Sequence, residues 1–148
     1  WVKMANTTYQ DVYPVFLMDI KAYDLMGLSV DIKEDIMTSY LEKSATKFSS
    51  CNNMKKINKE NKCFDVELED DEISTLAALM VLCWLKPFLL SDEALQTHLT
   101  TKEYGEASQN KLIEQIRETY KMARSEARQL VNIYDHKHHK ISEINKSK

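Results

Sequence analysis

Four basic residues in the C-terminal half recur at helical spacing: Arg117, Lys121, Arg124 and Arg128. Intervals of 4, 3 and 4 residues place them on one side of an α-helix. Guanidinium and ammonium groups in such a row could bind an acidic protein surface or a phosphate backbone. The simpler alternative is a solvated face in which Glu114 and Glu118 pair with the residues three positions later. Four residues in register favour an interface, and we call this set the basic ridge.

Three histidines, His136, His138 and His139, lie near the C-terminus. Imidazole is a common transition-metal ligand, but a metal site needs ligands held in a fixed geometry. Residues 135–148 are polar, so the sequence predicts a flexible tail there, with adventitious nickel or zinc binding at most. We predict no metal site and no cofactor. The predicted partner interface consists of the basic ridge, Tyr134 and these three histidines.

Six carboxylates follow a lysine-rich stretch: Asp65, Glu67, Glu69, Asp70, Asp71 and Glu72. Such a cluster favours a helix start, because carboxylates complement the positive end of the helix dipole. A divalent-metal site is the more specific alternative, but the calcium-loop pattern with its central glycine is absent. Cys51, Cys63 and Cys83 show no CxxC spacing, which favours a reduced, intracellular setting. Since no acid–base pair or nucleophile motif stands out, we predict that the protein is not an enzyme.

The composition favours one all-α domain. The 148 residues are 43% hydrophobic and 29% charged, with a formal net charge of −3, and include two glycines and two prolines. So few turn residues argue against β-sandwiches, β-barrels and Gly-rich phosphate loops. The net acidity argues against a general nucleic-acid binder, and no uninterrupted apolar run is long enough to span a membrane. Met4 resembles a translation start, so residues 1–3 are left out of the fold prediction.

Helices are the elements predicted to position these residues. A first helix opens at Pro14 and stops at Gly27, and a second, capped by Ser29, runs to about Ser49. Residues 50–64 lose helical periodicity.

The second half of the chain predicts a buried central helix and a long final helix. The apolar run 76–85 is the central helix, ended by Pro87, and Ser91 caps a short segment after it. A final helix over 102–134 would be about 50 Å long, against about 30 Å for a small domain. We therefore expect part of its apolar stripe to project and to need a partner. The predicted organisation is an extension over 1–12, a helical bundle over 13–134 and the tail.

The order and spacing of packing residues resemble small neck proteins of tailed bacteriophages, the head–tail connector (adaptor) proteins of phages that infect Gram-positive hosts. The resemblance covers about residues 12–134. It rests on Phe16-Leu17-x-x-Ile20-x-x-Tyr23-Asp24-Leu25, Tyr40-Leu41-x-x-Ser44-Ala45-x-x-Phe48-x-x-Cys51, Trp84-Leu85-x-Pro87, Arg117-Glu118-x-Tyr120 and Ala123-x-Ser125-Glu126-Ala127-x-x-Leu130.

This resemblance implies an all-α virion protein that assembles as a ring, usually of twelve copies, below the portal. Such a ring extends the DNA channel, contacts packaged double-stranded DNA transiently and docks stopper or tail-completion proteins. The protein would lie in the virion neck, and in the host cytoplasm during assembly. The packing positions carried over as core are Phe16, Tyr23, Tyr40, Phe48, Trp84 and Tyr120.

Two alternatives belong to other classes. A small helical regulator would bind a host or phage protein through its long helix. A nucleic-acid binder would use the basic ridge together with the lysines of residues 55–62, and its affinity would fall steeply with salt.

Overall fold

The structure is a computed structural model that describes residues 6–21, 33–90 and 106–146. In these ranges the chain forms four α-helices, a short 3-10 helix and one β-hairpin. The elements are α1 (Tyr9–Lys21), α2 (Glu34–Lys47), the 3-10 helix (Asn52–Lys56), β1 (Ile57–Asn58), β2 (Cys63–Phe64), α3 (Asp70–Leu90) and α4 (Glu106–Lys146). The all-α prediction is confirmed.

The central helix is α3, which packs against α1, α2 and α4. Residues 76–85 are buried apart from the half-buried Ala78 and Leu82, as predicted. As a whole, Asp70–Leu89 is long and apolar enough to cross a membrane, which a search for uninterrupted apolar runs missed. In this fold 56% of that stretch is buried inside the protein, as in the core helix of a globular domain.

The core residues carried over from the resemblance mostly lie where expected. Phe16, Phe48 and Trp84 are buried. Tyr40 and Tyr120 are half-buried and pack against the core, and Tyr23 lies outside the described residues.

The N-terminal residues belong to the fold, so the predicted extension over 1–12 is wrong for residues 7–12. The Thr7 N–H donates to the Val66 carbonyl at 3.1 Å, and the Phe64 N–H donates to the Thr7 carbonyl at 2.8 Å. Thr7 is therefore buried beside the hairpin, although nearly sixty residues separate it from its partners in sequence.

Helix α1 begins at Tyr9 and not at Pro14. The Thr8 N–H donates to the Asp11 carboxylate at 2.9 Å, which satisfies a backbone group at the helix start. Tyr9 and Val12 are buried, and their packing outweighs the one helical hydrogen bond that Pro14 removes.

Helix α2 begins at Glu34, so the predicted cap at Ser29 is wrong. Lys33 occupies the N-cap position in extended conformation and makes no side-chain capping bond. Glu34 and Asp35 lie in the first turn, where they complement the helix dipole. Gly27 and Ser91, predicted to stop or cap helices, lie outside the described residues.

Helix α3 continues to Leu90 past Pro87, where its end was predicted. The buried ring of Phe88 meets the ring of Trp84 edge-on, with centroids 5.7 Å apart. This contact anchors the turn after the proline, which lacks only one backbone hydrogen bond.

Helix α4 runs to Lys146, so the boundary at 134 and the flexible tail over 135–148 are wrong for residues 135–146. These residues include no glycine or proline, and their mixture of charged and aliphatic side chains is compatible with a helix. At 1.5 Å per residue α4 is about 60 Å long, roughly twice the length of α3.

Over the residues whose side chains the structure describes, the apolar face of α4 packs on α3, whereas part of the stripe was expected to project. Ile116, Ala123, Ala127 and Tyr134 are buried, and Ile113, Tyr120 and Val131 are half-buried against the core. Leu130, also a member of the predicted stripe, is half-buried. The neighbouring helix thus covers most of the described part of this stripe. Any interface of α4 must therefore use its other faces.

Candidate functional site

The basic ridge lies along one flank of α4, beside the face that packs on α3. Arg117, Lys121, Arg124 and Arg128 are all exposed. At 100° per residue, the ridge is centred about 90° from the middle of the buried face. The structure therefore places all four predicted residues together on the surface.

The ridge has few partners within the chain. Lys121 Nζ lies 3.3 Å from Glu118 Oε1, with both side chains largely exposed, so this ion pair contributes little to stability. Among the described residues, Arg117, Arg124 and Arg128 form no salt bridge. The predicted pairing of Arg117 with Glu114 is therefore wrong.

Two open grooves border the ridge. One, of about 500 Å³, is lined by the polar residues Lys121, Arg124, Ser125, Arg128, Gln129 and Asn132. The other, of about 440 Å³, lies between α3 and α4 and has Leu79, Leu82 and Val131 among its lining residues. Arg124, Arg128 and Lys47 also line this second groove. The ridge therefore borders an apolar surface as well as a polar one.

Tyr134 is not a surface residue, which corrects its assignment to the partner interface. It is buried, and its ring meets that of Phe48 edge-on, with centroids 5.0 Å apart. His138 is half-buried, with its ring centroid 4.0 Å from that of Tyr134. His136 is exposed, and nothing is described of the His139 side chain. The predicted interface therefore divides into exposed residues, which are the ridge and His136, and the inward-facing Tyr134 and His138.

The hydroxyl of Tyr134 belongs to a buried polar cluster that the sequence analysis missed. Its centre is the Glu72 carboxylate, which is 1% exposed. The Cys51 thiol donates to Glu72 Oε2 at 2.7 Å, and the Asn53 amide donates to the same oxygen at 3.0 Å. The backbone N–H of Glu69 donates to Glu72 Oε1 at 3.1 Å, and the Tyr134 hydroxyl lies 3.3 Å from Oε2. We call this set the Glu72 cluster.

A signal for the Glu72 cluster was present in the sequence. Glu72 precedes Leu76 by four residues and Met80 by eight, so it lies on the buried face of α3. A carboxylate on an apolar helix face needs donors from elsewhere in the chain. The pattern did not show which side-chain donors would reach it, because they come from Cys51, from the 3-10 helix that follows it and from α4.

Burial raises the pKa values of two donors in this cluster. Burial raises the pKa of the Cys51 thiol to about 11, and its hydrogen bond to Glu72 acts in the same direction. Burial also raises the pKa of the Tyr134 hydroxyl. Both groups therefore remain protonated donors near neutral pH. Cys51 accordingly lacks the thiolate character of a nucleophilic cysteine.

One group of side chains has the composition of a metal site. Ligand atoms of Glu69, Asp71 and His138 lie within 4.8 Å of one another. Lys137 Nζ, however, lies 3.5 Å from Asp71 Oδ2 and already supplies a positive charge there. We therefore assign no metal to this group.

Comparison of the chain with protein-family models, curated proteins and solved structures found no match.

Proposed function

We propose that this protein is a structural adaptor, specifically a head–tail connector that assembles as a ring in the neck of a tailed phage. Three features support the proposal: the resemblance in packing residues, the all-α subunit, and the exposed basic ridge. The single observation that carries it is the ridge. Arg117, Arg124 and Arg128 form a row of exposed charges that has no salt-bridge partner among the described residues.

The packing of the apolar face of α4 on α3 determines which surfaces are left for assembly. Because the described apolar face of α4 already packs on α3, a subunit has no need of neighbours to bury it. Assembly would instead use charged and half-buried surface, which suits subunits that fold first and associate afterwards. The alternative regulator would have to bind through other surface of α4, such as the exposed Met122 and Ile133, because the described part of the main apolar face is covered.

Native mass measurement tests the proposal most directly. The protein would be measured alone and with candidate portal and neck proteins, and its presence in purified particles would be determined. We expect a closed oligomer, formed alone or with the portal, and a fixed number of copies per particle. A one-to-one complex with a host protein, together with absence from particles, would refute the connector function.

A further inference from the structure

The chain carries a second exposed charged surface, of opposite sign to the ridge. Residues 65–70, which we call the acidic segment, expose the carboxylates of Asp65, Glu67, Glu69 and Asp70. None of these four carboxylates forms a salt bridge with any residue that the structure describes. Both surfaces therefore present charges that the described part of one chain leaves unneutralised.

The fold keeps the two surfaces apart within one molecule. Asp71, directly after the acidic segment, pairs with Lys137 at 3.5 Å. Lys137 is thirteen residues beyond Arg124, which is about 20 Å along the axis of α4. Ion pairs form at about 4 Å or less. Within the described part of one chain, no salt bridge joins the ridge to the acidic segment, so both remain available to a second molecule.

We propose that the basic ridge of one copy docks on the acidic segment of a second copy. This inference deepens the proposed function and rests on it, because a ring of identical subunits requires a repeated contact between neighbours. Two different but complementary surfaces on one chain give a heterologous contact, which closes into a ring when the rotation between copies permits. The inference names the two surfaces that form this contact.

The surroundings of both surfaces favour a protein partner over a phosphate backbone. The groove beside Arg124 and Arg128 includes apolar residues of α3 and α4, which a phosphate backbone would not match. Val66 is half-buried between Asp65 and Glu67, so the acidic segment also offers some apolar surface. The net charge of −3 also disfavours a phosphate backbone as the partner.

Lys55 of the 3-10 helix and Lys59 of the hairpin supply a matched control for reversing the charge of the ridge. Lys55 and Lys59 are exposed and lie outside both proposed contact surfaces. Reversing their charges alters the formal net charge of the chain by the same amount as reversing two arginines of the ridge. A general effect of net charge can therefore be separated from a specific contact.

The test compares self-association at low ionic strength by sedimentation of four variants and the wild type. R124E/R128E reverses the ridge, D65K/E67K reverses the acidic segment, a third variant combines all four changes, and K55E/K59E is the control. We expect each single-surface reversal to weaken association about tenfold or more, since attraction becomes repulsion across the contact. We expect the combined variant to regain association and the control to retain it. Thermal denaturation verifies that each variant is folded.

Three results would overturn this inference: a wild type that stays monomeric at every concentration, association insensitive to the reversals, or equal weakening by the control. Loss of binding to double-stranded DNA in R124E/R128E, with self-association intact, would make the ridge a phosphate-binding surface instead. The protein composition of purified particles distinguishes failure of the docking contact from failure of the connector function. If reversed variants still enter particles, only the docking contact is refuted, whereas absence of the wild type from particles refutes the connector function.

Discussion

The two polar regions of α4 differ in where their partners lie. Tyr134 reaches a buried carboxylate, and the whole Glu72 cluster is satisfied by residues of the same chain. The arginines of the ridge are exposed, and the described part of the chain offers them no salt bridge. The first region therefore contributes to folding, while the second is free for recognition. The residue types on a helix do not reveal this difference, because it depends on what the rest of the fold brings to each side.

The largest expected effect is at the centre of the Glu72 cluster. Replacing Glu72→Ala leaves the Cys51 and Asn53 donors without their acceptor in a buried site. The Tyr134 hydroxyl also loses an acceptor and keeps only the Cys51 sulfur at 3.2 Å. We expect the free energy of unfolding to fall by about 3 kcal/mol. Urea denaturation measures this change. Glu67→Ala removes an exposed carboxylate nearby and is expected to change stability by less than about 0.5 kcal/mol. Equal losses in the two variants would mean that Glu72 is not a buried centre.

A smaller loss is expected from Tyr134→Phe, which removes one hydroxyl and keeps the ring against Phe48. The Glu72 carboxylate retains its other donors, so the expected cost is about 1 kcal/mol. The urea midpoint of this variant should fall between those of the wild type and Glu72→Ala. A midpoint equal to that of the wild type would show that the Tyr134 hydroxyl does not stabilise the cluster.

The Glu72 cluster should also make stability depend on alkaline pH. Folding raises the pKa of Cys51 from 9.0 to about 11, so the unfolded chain loses this proton first. The stabilisation from Cys51 is therefore complete below about pH 9 and is lost as the pH rises to about 11. Urea midpoints over this range should decline less steeply in Cys51→Ser, and the buried tyrosines account for the remaining slope. Cys63→Ser removes a thiol outside the cluster and is the control: an equally flattened decline in this variant would show that the effect does not arise in the Glu72 cluster.

The smallest effect on stability is expected from the ridge. Replacing Arg117, Lys121, Arg124 and Arg128 together by Ala removes only exposed charges, so the free energy of unfolding should change by about 0.5 kcal/mol or less. Self-association and docking should nevertheless be lost. Wild-type docking by this folded variant would show that the ridge is an ordinary solvated face, and the contrast with the Glu72 cluster would fail.

Much of the fold followed from local patterns in the sequence. The run 76–85 is apolar on every side, which only a helix surrounded by other helices can bury, and α3 has that position. The acidic cluster at 65–72 marked the start of α3, because carboxylates suit a helix N-terminus. The four basic residues at helical spacing lie together on the surface because their spacing alone fixes their common side of α4.

The errors arose where distant residues decide the outcome. Pro14 and Pro87 each suggested a helix boundary, but buried aromatic and aliphatic neighbours keep both inside helices. Thr7 gave no sign of its hydrogen bonds to residues 64–68, which lie far away in sequence. Tyr134 ends the apolar stripe of the long helix, whose expected projection placed it in the partner interface, whereas the fold brings Phe48 and the Glu72 cluster to it.

The order of the helices has a consequence during synthesis. Helix α3 leaves the ribosome before α4, and about 55 further residues must be translated before α4 is complete. At roughly 5–20 residues per second, the side of α3 that α4 covers stays exposed to solvent for several seconds. In that interval the nascent chain presents an apolar helix of bilayer-spanning length, so it is most vulnerable to aggregation then. Prompt docking of α4 ends this exposure, and chaperone capture of nascent chains should depend on that step.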